Sequence, residues 1–291
     1  METTLSEIYF GPRDSSFRKL ISDLLHRSGM KDSYIEHLLG DEGMALYHTA
    51  FTAASADPVD NYEFLEQIGD MTANQFIVNY TYHKYPQLQT PQGVKIVARV
   101  RINHGSREKF AKLGEELGFW PYISADVSAR ESSKKDLLED TFEAFCGATQ
   151  WLLDQKIRIG IGYPIVYDLL SHIYDEMVPI SLKYEDLFDA KTRLKELFDR
   201  SDVKQQIGDW QFLSDERNPD TRLTTSTLYV IPPGIRKKDE RSRNKWYAIA
   251  SGSAAKKINA EQIAASAGIE WLRAKNYFKV IPKDYLALAT P

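Results

Sequence analysis

Two runs of acidic residues set among apolar neighbours constrain this chain more than any other feature: Glu63-Phe64-Leu65-Glu66-Gln67-Ile68-Gly69-Asp70 and Asp140-Thr141-Phe142-Glu143-Ala144-Phe145-Cys146-Gly147-Ala148. On a helix, Glu63, Glu66 and Asp70 stand at i, i+3 and i+7 and share one face. Asp140 and Glu143, at i and i+3, do the same on a second helix. The ordinary alternative is a solvated acidic face, because Glu faces water in most proteins. Such a face would carry basic partners, whereas these acids are flanked by Phe64, Leu65, Ile68, Leu137, Phe142 and Phe145. Each run also holds a glycine, Gly69 or Gly147, which costs a helix about 1 kcal/mol and is expected where two backbones approach closely. Carboxylates gathered in apolar surroundings repel one another and take up protons unless a cation neutralises them. An all-oxygen donor set without a His or Cys cluster points to Mg²⁺ or Mn²⁺.

The rest of the composition fits a two-domain chain. A length of 291 residues suggests two domains, and 43% hydrophobic residues suffices for their cores. The single Cys146 excludes a disulfide framework and a Cys-based zinc site; it reads as a small buried residue. No run of 18 or more apolar residues occurs, so no membrane span is expected. Met1 to Glu7 has neither the basic start nor the apolar core of a signal peptide. An intracellular, most simply cytoplasmic, protein is expected. Charge is divided unevenly: residues 187–280 hold 18 Lys and Arg against 12 Asp and Glu, a balance of +6, which leaves −10 for the remainder of a chain whose total is −4. A basic half supplies attraction for phosphates and an acidic half can hold metal.

Phe17, Leu20, Ile21, Leu24 and Leu25 follow the i, i+3, i+4, i+7, i+8 pattern of an amphipathic helix within an N-terminal extension, residues 1–30. Helix follows helix from there to about residue 180, with breakers at Asp57-Pro58, Tyr85-Pro86, Thr90-Pro91-Gln92-Gly93 and Tyr163-Pro164. Gly160-Ile161-Gly162-Tyr163 lacks the following Lys-Ser/Thr and the preceding strand of a nucleotide loop and reads as a turn; no nucleotide cofactor is expected. Residues 183–188 read as a linker. Beyond it the pattern changes to an amphipathic helix at Ala190–Phe198, strands at Trp210–Leu213, Leu223–Ile231 and Lys245–Ala250, and an Ala-rich helix at about Asn259–Leu272.

The two acidic runs together resemble the ribonuclease III family, whose helical signature reads approximately N-x-E-x-L-E-x-L-G-D followed by D-x-x-E-A-x-x-G-A. Here these are Asn61 to Asp70 and Asp140 to Ala148. Upstream, Ala50-Phe51-Thr52-Ala53-Ala54-Ser55 is similar to the family's A-[FL]-T-H-x-S, with Ala53 in place of His. Between the runs, Arg107 to Gly118 resembles its N-E-x-L-A…E-L-G helix. The resemblance implies an all-α endonuclease domain, residues 1–182 including the N-terminal extension. It implies catalytic acids at Glu63, Glu66, Asp70, Glu108, Asp140 and Glu143, of which Glu66, Asp70, Asp140 and Glu143 would be metal ligands. It further implies a homodimer that cuts each strand of double-stranded RNA, leaving 5′-phosphate and 3′-hydroxyl ends with short 3′ overhangs. Gln67 stands where the family usually has Phe at the dimer contact.

The α-β-β-β-α order of residues 187–280 resembles a double-stranded RNA-binding domain of α+β fold, with Lys256-Lys257-Ile258-Asn259-Ala260-Glu261-Gln262-Ile263-Ala264-Ala265 near its K-K-x-A-E-Q-x-A-A helix start. The resemblance implies RNA contacts at Lys191, Thr192, Arg217, Arg222, Lys256 and Lys257, with lysines at a helix N-terminus meeting phosphates. Departures are an extra residue after the lysines, Asn218-Pro219-Asp220-Thr221 in place of a G-P-x-H loop, and a turn expanded and made basic by Pro232 to Asn244. Two rival functions remain. A catalytically silent scaffold or RNA-binding subunit would be expected to have lost acids that are all retained here. A phosphohydrolase of small nucleotides would show His-Asp ligand pairs, which the six His do not form.

Overall fold

Helix α8 (Lys134–Lys156) is buried all round through its middle, from Thr141 to Thr149, and the first half of the chain is arranged about it. A helix apolar on every side must be central. The computed structural model describes residues 7–237 and 240–290, and the chain divides into two units, Met1–Ile180 and Ser181–Pro291. The start of the N-terminus, Met1 to Ser6, and Lys238 and Asp239 of the basic turn lie outside the described residues.

In the first unit α8 is surrounded by α2 (Asp32–Leu38), α3 (Asp41–Ala50), α4 (Glu63–Lys84), α6 (Arg107–Glu116) and α9 (Gly162–Met177). Helices α1 (Ser15–Arg27), α5 (Gly93–His104) and α7 (Val127–Ser132) complete it. The periodicity of Phe17 to Leu25 produces α1: Phe17, Ile21, Leu24 and Leu25 are buried, and Asp14 caps its first turn by accepting from Ser16 N–H. An aromatic chain runs through the core, with ring centroids 5.0 Å apart for Phe17 and Phe51, 4.9 Å for Phe51 and Phe119, and 5.4 Å for Phe119 and Phe145. Such edge-on pairs each add about 1 kcal/mol beyond the area they bury. One element escaped the all-helical reading: β1 (Ile8–Tyr9) pairs antiparallel with β2 (Ala125–Asp126). A two-residue strand has no period for a sequence to display, and this one is made by long-range pairing.

The second unit contains α10 (Tyr184–Leu187), α11 (Ala190–Phe198), α12 (Ser201–Gln206), β3 (Asp209–Ser214), β4 (Thr224–Ile231), β5 (Tyr247–Ala254), α13 (Lys257–Arg273) and α14 (Lys283–Ala289). The strands form an antiparallel sheet in the order β3-β4-β5, with Phe212 opposite Leu228 and Leu228 opposite Ala250. Burial alternates along most of β4, as a sheet with one covered face requires. Helix α13 covers that face through small residues. Ala260, Ala264 and Ala265 are fully buried, and a Cβ at Gly268 would overlap the Leu228 side chain. The span 183–188, expected as a linker, instead forms the turn of helix α10 with Tyr184 and Leu187 buried. Tyr184 stacks on Phe188 at 4.7 Å, an aromatic pairing that a four-residue element does not announce by periodicity.

The two glycines of the acidic runs do face one another's helices. A Cβ at Gly69 would overlap the carbonyl of Glu143, and one at Gly147 would overlap the carbonyl of Leu65. Because the obstacle is backbone, Gly147→Ala is expected to destabilise the first unit by about 3 kcal/mol. Chemical denaturation of the two proteins side by side measures this; equal midpoints would contradict the close crossing.

Candidate active site

The crossing of α4 and α8 brings carboxylates from both helices together. Glu63 lies exposed on the first turn of α4, Glu66 and Asp70 are half-buried on successive turns, Asp140 is half-buried on α8, and Glu143 is only 5% exposed. Burial, reinforced by the charges of Asp70, Glu139, Glu66 and Asp140, pushes the Glu143 carboxyl from the ordinary 4.5 up to about 9. Burial and Asp140, Glu139, Glu63 and Asp70 raise Glu66 to about 7. Asp140 is also raised, chiefly by burial. These are the signs of a pocket with too much negative charge for its surroundings.

Neighbouring groups hold several of these acids in place. Asn74, one turn beyond Asp70, donates to Asp70 Oδ1 at 2.7 Å, and Arg101 on α5 donates to Asn74 Oδ1 at 3.3 Å. The Tyr62 hydroxyl donates to Asp140 Oδ2 at 2.8 Å. On α6, Arg107 reaches Glu139 at 2.6 Å through Nε and donates to Asp136 at 2.6 Å through a terminal nitrogen. Glu139 is an acid the sequence reading missed. It precedes Glu143 by four residues, so the helical spacing that links Asp140 to Glu143 also signals it. Even with Arg107 beside it, burial keeps the Glu139 carboxyl above its ordinary value.

Glu108, expected among the catalytic acids, is placed differently. It is exposed, and its ion-pair partner is Lys135 at 3.7 Å. The α6 side chain that meets the acids of α8 is its neighbour Arg107. Cys146 is fully buried, and burial pushes its thiol up, which leaves it inert at neutral pH.

The donor set suits a hard divalent cation: oxygen ligands, excess negative charge, and protonation-prone carboxylates that a cation would discharge. Among the described residues no three His, Cys, Asp or Glu side chains stand ready around one point. The fit is therefore one of donor chemistry and charge, with the carboxylates left to close on an ion.

In the second unit, Arg217, Arg222, Lys256 and Lys257 are exposed. Lys256 is the N-cap of α13 and Lys257 its first residue, next to the unpaired N–H groups of the first turn. Arg222 has φ +56 and accepts from Arg217 through its carbonyl at 2.8 Å, so the two share one tight loop. Thr192 is held by Asp189, which caps α11. Lys191 is half-buried, ion-paired to Glu261, with its ammonium 5.7 Å from the Phe212 ring centre.

Residues 63–154, which include both acidic runs, match the family model of the Ribonuclease III domain. A protein of Invertebrate iridescent virus 6 named for ribonuclease 3 is 39% identical over 295 residues, spanning 97% of this chain and 96% of its own length. A similarly named protein of Frog virus 3 is 41% identical over 206 residues, which is 70% of this chain and 54% of that relative. Ribonuclease 3 of Lactobacillus acidophilus is 33% identical over 165 residues, 54% of this chain and 67% of its own. Among solved structures, the nuclease domain of ribonuclease III from Campylobacter jejuni aligns at 20% identity with a TM-score of 0.41, covering 56% of this chain and 97% of that domain. The chain belongs to the ribonuclease III family, a family of endoribonucleases. Among the described residues no helix is long and apolar enough to cross a membrane.

The electrostatics give a stability prediction with a definite sign. A carboxyl whose folded pKa lies above its unfolded value binds protons more tightly in the folded state. Its contribution is complete below the unfolded pKa and is lost as pH rises through the folded one. Without divalent metal, the first unit is expected to lose stability as pH rises from about 4.5 towards about 9, the window set by Glu143. Glu143→Gln, which carries no charge at any pH, should flatten this slope and melt above the wild type at pH 8.5. Calorimetry in chelator at pH 5.5 and 8.5 measures both, and parallel pH profiles for the two proteins would contradict the assignment.

Proposed function

We propose that this protein is a metal-dependent endoribonuclease that cleaves double-stranded RNA as a homodimer, leaving 5′-phosphate and 3′-hydroxyl ends with short 3′ overhangs. The observation that carries the reading is the set of acids Glu66, Asp70, Asp140 and Glu143, gathered from two helices whose backbones touch at glycines. These four residues would hold Mg²⁺, or Mn²⁺ in its place, with Glu63 at the exposed edge of the group. When bound, divalent cations activate water and stabilise the leaving oxygen in phosphodiester hydrolysis. The chain's own part is to position the acids beforehand. Asn74 and Tyr62 present donors to Asp70 and Asp140, and burial of Glu143 shields that carboxyl from bulk water.

Dimerisation is supported by the outer face of α4. Phe64 is 53% exposed and Met71 69% exposed, with exposed Gln67 between them at the same helical stripe. A homodimer of this kind buries on the order of 2,000 Å² or more, and Gln67 would then find its hydrogen-bond partner across the interface or in trapped water. The second unit acts as a double-stranded RNA-binding domain. Its α-β-β-β-α core, its positive balance and the exposed Lys256 and Lys257 at the start of α13 support this. Of the residues expected to touch RNA, Lys191 must first release Glu261, so its share of the affinity is smaller than that of Lys256 or Lys257.

Three measurements test the reading. Glu143→Gln should lower Mg²⁺-dependent cleavage of a long RNA duplex by at least about a hundredfold, a loss of at least 2.7 kcal/mol in transition-state stabilisation, while duplex binding persists. Activity within about twofold of wild type would refute the metal site. Lys256→Glu with Lys257→Glu should weaken duplex binding for all sequences alike and flatten its dependence on salt; an unchanged salt slope would remove RNA binding from α13. Light scattering should give twice the chain mass of 33.3 kDa, and Phe64→Glu with Met71→Glu should reduce it to one chain. A monomeric wild type that makes paired staggered cuts would overturn the dimer.

A further inference from the structure

Tyr62 links the two acid-bearing helices, and its effect on the site can be followed beyond the single bond it makes to Asp140. It is the N-cap residue of α4 and only 7% exposed. Its backbone is fixed on both sides, with its N–H donating to Thr52 O at 2.9 Å and its carbonyl accepting from Glu66 N–H at 2.8 Å. The segment that receives it is itself braced: Arg13 donates to the Phe51 carbonyl at 3.0 Å, and Ser55 Oγ accepts from Asp126 N–H at 3.2 Å. From this rigid base the phenol crosses to α8 and donates to Asp140 Oδ2 at 2.8 Å.

A carboxylate on a helix can rotate about two side-chain bonds, and only some of its orientations aim a lone pair at a shared ion. A donor fixed by packing that engages one oxygen orients the other. Groups of this kind behind ligand carboxylates and imidazoles change metal affinity substantially. The phenol O–H donates and the carboxylate accepts, so the bond holds one oxygen of Asp140 and leaves the other free. The side chain is buried and long enough for its hydroxyl to span the gap between the helices.

We infer that Tyr62 is a positioning residue that sets the affinity of the acidic site for divalent cations by orienting Asp140. The inference rests on the metal-site reading and adds a residue outside the acids themselves. Its role is separable from RNA binding, because Tyr62 is buried. It is also separable from packing, because Phe retains every carbon atom of the ring.

The experiment titrates Mn²⁺ alone into full-length wild type, Tyr62→Phe, Glu143→Gln and Asp140→Asn proteins, with free Mn²⁺ read by electron paramagnetic resonance. Tyr62→Phe is expected to raise the Mn²⁺ dissociation constant about tenfold, with native circular dichroism and unchanged metal-free duplex binding. Cleavage by this variant should recover at high Mg²⁺. In the Asp140→Asn background the same change should produce no further loss, since Tyr62 acts through that carboxylate. Wild-type Mn²⁺ affinity in Tyr62→Phe, with loss in Glu143→Gln, would overturn this inference and leave the metal site standing. Wild-type Mn²⁺ affinity in Glu143→Gln would overturn the metal site and this inference with it. A Phe variant that fails to fold would also overturn it, by showing that the bond holds the fold and not the ligand.

Discussion

Everything at the candidate site depends on the contact between the backbones of α4 and α8. Helices with ordinary side chains at their crossing pack with axes 8–10 Å apart; glycines set against carbonyls of the opposite helix, Gly69 against Glu143 and Gly147 against Leu65, allow a closer approach. That closeness determines which residues form the acidic group. Glu66 and Asp70 flank Gly69, and Glu143 stands one turn before Gly147, so acids from both helices share a small volume with no linker or loop between them. Sites built on helices hold their side chains more accurately than sites on loops. The two glycines give up helix propensity of about 1 kcal/mol each in exchange for that geometry.

The consequence is a pocket that is electrostatically incomplete by itself. Arg107 is the cation that reaches its edge, and it is taken by Glu139 and Asp136. Glu143 and Glu66 are left to raise their proton affinity instead. A folded protein tolerates this only where something else gains, and strained ionisation of this sort collects at functional sites. A divalent cation displacing protons would reverse the cost. Binding would then stabilise the fold most at the pH where the metal-free protein is weakest, which couples metal loading to the integrity of the same crossing.

Much of this was legible in the sequence, for reasons specific to particular residues. The acids and glycines of α4 and α8 announce themselves by helical spacing, as do Phe17 to Leu25 in α1 and Leu194, Leu197 and Phe198 in α11. What stayed hidden depends on contacts between residues distant in the chain. Tyr62 and Asp140 are far apart in sequence, and neither type alone suggests a pair. The choice between Arg107 and Glu108 turns on which face of α6 meets α8. Two adjacent residues point about 100° apart on a helix, and family likeness in sequence favoured the acid while the exposed Arg107 is the one that reaches Glu139 and Asp136. The β1–β2 pair and the short helix α10 were missed because neither is long enough to carry a period.

The second unit follows a parallel logic with different materials. There the close approach is helix on sheet, made by Ala260, Ala264, Ala265 and Gly268 on one face of α13. Small residues on that face fix the helix at a definite height and rotation over β4. Rotation matters because the positive end of the helix is where Lys256 and Lys257 project, beside N–H groups that have no partner within the helix. Lys191 shows the opposite arrangement: bonded to Glu261 on the same helix, it ties α11 to α13 before any ligand arrives. A basic residue can serve the fold or a polyanion, and at full strength not both. Counting charges over residues 187–280 therefore overstates the positive charge free to meet an anion, and Lys256 and Lys257 are exposed where Lys191 is engaged.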